Sequence, residues 1–142
     1  MNLFAARPPA PQASAQVLLL LRLLLAGLIA AHGWARWYHG GVTPFGTWLD
    51  GLGFPFGLGI ATAVTVIEIV GTPLYALGRL VPQLSLIYAA IYVMGVVLVH
   101  APAGWFVVGL GRNGMEYSVL LIAALLAVGW ASRERPAGIG DW

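Results

Sequence analysis

The stretch FGLGIATAVTVIEIVGTPLYAL, residues 56–77, decides how the chain is read. It is 22 residues long and carries a single charge, Glu68, near its middle. About 20 consecutive apolar residues are needed to cross a bilayer as a helix. The apolar run is continuous, without the period-two alternation of a half-buried or barrel strand. A backbone in lipid must bond its amides internally, which leaves a helix. On that helix Thr65, Glu68 and Thr72 stand three or four apart and share a face. Gly71 permits a neighbouring helix to approach closely. Pro73 removes the amide that would bond residue 69 and is expected to bend the helix. A carboxyl group in such a span is costly in lipid, so it faces protein or water and points to function.

Three further runs resemble this one. Val17–Trp37, Pro82–His100 and Met115–Ala131 are each long and apolar, so the spacing predicts four spans. Each carries an ionisable group within it or at its edge: His32 in the first, His100 at the end of the third, Glu116 at the start of the fourth. Glu116 also suits a helix N-terminus. Arg22 stands about one turn inside the first span, where its long side chain can reach the interface. Trp34, Trp37 and Tyr38 form an aromatic belt at the other end of that span. Val17–Trp37 is too long for a cleaved signal segment and ends in aromatics, so it is read as a retained span.

Between the first two spans, Thr43 is placed to cap and Pro44 to occupy a first helical position. Phe45, Trp48, Leu49 and Leu52 then fall on one face, which predicts a short amphipathic helix lying in the membrane interface. The turn Gly78–Val81 is short, making spans two and three antiparallel neighbours. Residues 1–16 read as a disordered cytoplasmic leader, 17–131 as the membrane domain and 132–142 as a cytoplasmic tail. The fold expected is all-α: an integral membrane four-helix bundle with a short interfacial helix between spans one and two.

Composition agrees. The 142 residues are 60% hydrophobic and only 8% charged, whereas a soluble domain carries about a quarter charged residues. With no cysteine, thiolate metal sites and a dithiol relay are excluded. The net charge of +2 is small and scattered, which argues against a nucleic-acid surface. The seven basic residues are all arginine. With four spans, Arg7, Arg22, Arg79, Arg133 and Arg135 gather at one end, and Arg36 and Arg112 at the other. The positive-inside rule then puts both termini in the cytoplasm of a bacterial inner-membrane protein.

That orientation collects the polar groups in the outer half of the bundle. His32, Arg36, Glu68, His100 and Glu116 form a candidate polar pocket, with Trp48, Tyr92 and Trp105 as candidate lining. A buried Glu68 is tolerable if protonated, or if paired with His32 or an arginine. An imidazole can take or give a proton near neutrality. Such a constellation can serve a bound molecule such as a quinone, or it can simply lock helices together. The Glu-x-x-His spacing of helical di-iron proteins is absent, which disfavours a metal centre. No stand-alone catalytic motif is present, and Gly109-Leu110-Gly111 has no nucleotide-binding unit after it.

Several stretches carry a family likeness. Leu21-Arg22-Leu23-Leu24-Leu25-Ala26-Gly27-Leu28 followed by Ala31-His32-Gly33 is one, and Trp48-Leu49-Asp50-Gly51-Leu52-Gly53-Phe54-Pro55 is another. Glu68 with Gly71, His100 with Gly104-Trp105-Phe106, and Gly114-Met115-Glu116-Tyr117 complete the set. In order and spacing, over about residues 17–131, these resemble the DoxX family of small bacterial membrane proteins. Two departures are Arg36, where the family often has lysine, and Pro73. The resemblance implies a four-helix membrane bundle. It also implies a link to membrane redox work, as in the DoxD-like subunit of thiosulfate:quinone oxidoreductase. Two roles follow as expectations: an accessory to a quinone-linked redox system acting with a protein partner, or a non-enzymatic assembly subunit whose buried polar residues lock helix packing. A transporter is the weaker alternative, because no inverted repeat is evident.

Overall fold

A computed structural model describes residues 11–133. Among them the chain is helical, with no strand. The helices are α1 (Pro11–Tyr38), α2 (Val42–Gly51), α3 (Gly57–Ala76), α4 (Val81–Ala103) and α5 (Glu116–Ala131). Helices α1, α3 and α4 are long and apolar enough to cross a membrane. The expected fourth span is the exception. Helix α5 has 16 residues, about 24 Å at 1.5 Å per residue, against a hydrocarbon core of roughly 30 Å.

Helix α1 is already formed at Pro11, the first described residue and earlier than the expected Val17. Residues 11–16, expected in the leader, are therefore helical, while residues 1–10 and most of the expected tail lie outside the described residues. Helix α2 also starts earlier, after Gly41, and Thr43 does not cap it. Thr43 instead lies inside the first turn, and its carbonyl accepts the Thr47 hydroxyl at 3.2 Å.

Helices α1 and α3 pack together, as do α4 and α5; the pairs meet where α1 touches α5 and α3 touches α4. Glycines set the close approaches. A Cβ at Gly33 of α1 would lie 2.8 Å from Glu68 Cβ, and one at Gly129 of α5 would lie 2.7 Å from Ser85 Cβ. A Cβ at Gly71 would fall on the Tyr88 hydroxyl, which donates to the Ile67 carbonyl at 3.2 Å. Tyr75 and Ser85 hydroxyls bond at 3.2 Å across the same α3–α4 seam. Around them Leu25, Ile29, Leu84, Leu121, Leu125 and Val128 form an apolar core. This core occupies the half of the helices holding the α3–α4 turn.

Pro73 sits inside α3 without ending it. The Ile69 carbonyl, which a proline cannot bond, instead receives the Thr72 hydroxyl at 3.4 Å; that hydroxyl also bonds the Glu68 carbonyl at 2.8 Å.

Helix α2 lies against α3, with Gly46 close to Leu58. Asp50, the last acid before α3, accepts the Gly57 amide at 2.8 Å. It does the work of an N-cap from outside the helix, since Phe56 has no capping side chain. Asp50→Ala is expected to cost on the order of 1 kcal/mol, read as a lowered unfolding midpoint with Asp50→Asn intermediate.

Candidate functional site: an ion pair in a cavity wall

The half of the molecule away from the apolar core is built differently. Arg36 lies one helical turn beyond His32 on α1, so both side chains emerge on one face. Because α1 and α3 touch at Gly33, the Arg36 guanidinium reaches Glu68. Its Nη1 donates to Glu68 Oε2 at 2.7 Å and to Thr65 Oγ1 at 3.2 Å. The Thr65 hydroxyl in turn donates a hydrogen bond to the Ala61 carbonyl at 2.7 Å. The guanidinium also stands over the Phe45 ring, 4.9 Å from its centre, a cation–π contact that ties α2 to the pair. The Glu68 side chain is 2% exposed and that of Arg36 20%. The charge on a buried carboxylate is thus matched by a bidentate-capable partner with a fixed geometry.

This pair forms part of the wall of a cavity of about 450 Å³. That lies within the range of small-molecule sites. Of the eight residues singled out from the sequence, six line it: His32, Arg36, Trp48, Glu68, Tyr92 and His100. The remaining wall is apolar, with Leu49, Phe54, Ile60, Val64 and Leu98 among the lining. His32 meets Tyr92 edge-on, with ring centres 5.9 Å apart. The Tyr92 hydroxyl is shielded from solvent and has no hydrogen-bond partner among the described residues.

Glu116 and Trp105 do not line the cavity. Glu116 accepts the Val107 amide at 3.0 Å, and its own amide bonds the Trp105 carbonyl at 3.1 Å. Both residues organise the loop between α4 and α5, which doubles back on itself. His100 has a foot in each place. Its Nδ1 donates to the Asn113 carbonyl at 2.8 Å.

His100 reaches the cavity through a feature the sequence reading missed. Residues Val96–His100 form a π-turn within α4. Eight residues of regular α-helix would carry His100 about 80° past Tyr92; the wider turn brings it back toward Tyr92. π-turns of this kind recur at functional sites. The available signal was Pro102, which has no amide to offer the Leu98 carbonyl four residues earlier, so nothing there enforces the regular ladder. Phe45 and Gly33 were missed as well. Phe45 had been assigned to an amphipathic face, and the need for a glycine at 33 shows only when α3 is laid against α1.

Among the described residues, no three His, Cys, Asp or Glu side chains converge as metal ligands would.

The comparisons with known proteins bear on this arrangement. The DoxX family model matches residues 17–101, more than half of the chain. The chain belongs to the DoxX family. The DoxX match covers α1 from Val17 onward, α2, α3 and α4 as far as Ala101, and so includes the six candidate residues that line the cavity. It stops before the loop and α5, where Trp105 and Glu116 lie. No curated protein and no solved structure matches the chain. With its DoxX membership and its long apolar helices, the chain is a membrane protein.

Proposed function

We propose that this DoxX-family protein holds a lipid-soluble, carbonyl-bearing molecule of the quinone class in the cavity beside Arg36 and Glu68, as an accessory to a membrane redox partner. The protein spans a bacterial inner membrane as a bundle of α1, α3, α4 and α5, with α2 in the interface and both termini in the cytoplasm. The excess of arginine at the Arg22 and Arg79 end supports that orientation. The loop before α5 supplies the length that α5 lacks.

The observation that carries the ligand reading is the Tyr92 hydroxyl. A buried donor without a partner costs free energy, and here it belongs to a residue lining a mostly apolar cavity. The hydroxyl is closed to a water-sized probe, so a ligand carbonyl satisfies it once the side chains over it shift, and an apolar ring would sit against Phe54, Ile60 and Leu98. When bound, a quinone supplies two-electron redox chemistry; the residues here orient it, exclude water and keep a proton carrier, His32, at the wall.

A second reading rests on a different observation. Arg36, Glu68 and Thr65 satisfy one another within the protein, as a helix lock in an assembly subunit would. Binding separates the two. A water-soluble short-chain quinone, measured by equilibrium dialysis against the purified protein, is expected to bind. Tyr92→Phe is expected to weaken that binding about tenfold, the equivalent of one buried hydrogen bond, with an unfolding midpoint no lower than that of the wild type, because the substitution removes the unpartnered donor. No binding by the wild-type chain, or equal binding by both chains, would leave the lock as the function of these groups.

A further inference from the structure

The other half of the molecule holds a half-buried charge that the cavity does not use. Arg22 lies 14 residues before Arg36 on α1, roughly 21 Å away along the helix. Its Nε is shielded from solvent and has no hydrogen-bond partner among the described residues. The guanidinium lies against Gly78 in the α3–α4 turn, so close that a Cβ there would stand 3.1 Å from Nη1. Gly78 holds a φ of +79°, a conformation a side chain would resist, so the turn both requires glycine and leaves this space open.

No described acid compensates Arg22. Asp50 is bonded to the Gly57 amide, Glu68 to Arg36, and Glu116 to the Val107 amide, and all three belong to the cavity half or its loop. The nearby Tyr75 hydroxyl is paired with Ser85. Arg22 instead opens on a cleft of about 560 Å³ between the start of α1, the α3–α4 turn and the end of α5. Gln16 gives this cleft a polar side chain, the Ser132 hydroxyl is committed to the Val128 carbonyl at 2.8 Å, and Leu18, Leu19 and Val81 give the cleft apolar walls. Two more cations, Arg79 and Arg133, are exposed at the same end.

We infer that this cleft binds the headgroup phosphate of an anionic phospholipid, with Arg22 as its anchoring cation. A guanidinium is suited to a phosphate in both shape and charge. The leucine walls favour a lipid over a free ion, because an acyl chain continues from the phosphate along surface that is already apolar. An anionic headgroup also matches the local excess of arginine.

The test is native mass spectrometry of the full chain released from mixed vesicles of phosphatidylglycerol and phosphatidylcholine, with lipid retention counted. The wild-type chain is expected to retain phosphatidylglycerol preferentially, and Arg22→Gln to lose that preference by about tenfold. Arg22→Lys, which keeps the charge, is expected to retain part of it, and so guards against a folding defect in the glutamine variant. Inorganic phosphate is expected not to displace the lipid. Equal retention of the two lipids, an unchanged preference in Arg22→Gln, or full displacement by inorganic phosphate would overturn the inference. So would a preference that appears only when Glu134→Gln and Asp141→Asn are combined, since the tail carboxylates would then be the partners of Arg22.

Discussion

Arg36→Met is expected to destabilise the protein by on the order of 3 kcal/mol, and the double variant Arg36→Met/Glu68→Leu to recover most of that loss. Removing one member of a buried pair leaves the other as an uncompensated charge, which costs more than the pair itself contributes. Glu68 is nearly inaccessible, and among the described residues its carboxyl group bonds only Arg36 Nη1. The Thr65 hydroxyl cannot replace the cation, because its proton is committed to the Ala61 carbonyl. Replacing both charged groups with apolar ones removes the penalty and keeps the volume filled. Unfolding midpoints of the two single variants and the double variant, compared in one detergent, give the coupling between the residues. A single variant as stable as the wild type would show that Glu68 is not held as a charge by Arg36.

The second large effect is steric. Gly33→Ala is expected to destabilise by about 1–3 kcal/mol, as overpacking does. The added Cβ would lie 2.8 Å from Glu68 Cβ, 3.1 Å from Ile69 Cγ1 and 3.3 Å from the Glu68 carbonyl carbon. Two of these neighbours are fixed by the α3 backbone and cannot rotate away, so α1 must move off α3 and stretch the Arg36–Glu68 contact. Gly27→Ala, the same substitution six residues earlier on the same helix, meets nothing within 4 Å. It is expected to be neutral, or more stable by up to about 1 kcal/mol through helix propensity. Thermal unfolding of the two variants side by side reads the difference, and Gly33→Ala is also expected to lose quinone binding.

These two residues show what could be read from the chain and what could not. The apolar runs made the long helices legible, because lipid forbids unsatisfied backbone whatever the side chains. Glu68, His32 and Arg36 stood out as a set because charge in such runs is costly. The choice of partner was not legible: His32 and an arginine were equally placed in sequence. It is the glycine contact at 33 that brings α1 near enough for Arg36, one turn further on, to take the carboxylate, while His32 turns to Tyr92. Glu116, which already stood at the start of its run rather than the middle, was grouped with Glu68 in the candidate pocket, but it serves a loop amide set by the path of the chain between α4 and α5. The ends of the helices were the least legible part. Residues 11–16 are part of α1 and α2 begins after Gly41, both matters of local backbone geometry to which hydropathy is blind.

The cavity matters more to the account than the ion pair alone, since a pair can lock helices without serving a ligand. A second hollow tests the assignment. A groove of about 380 Å³ runs between Trp34, Trp37, Thr62, Val66 and Val70 on a different face of α1 and α3. It lacks His32, Tyr92, His100 and the charged pair. Photolabelling of membranes containing the full chain with an azido-quinone, followed by peptide mapping, distinguishes the two directly. The account predicts labels on α4 between Tyr92 and His100 and on α1 at His32, abolished by excess unlabelled quinone and reduced in Tyr92→Phe. Labels confined to Trp34, Trp37 and Val66, or no label that competitor removes, would contradict it.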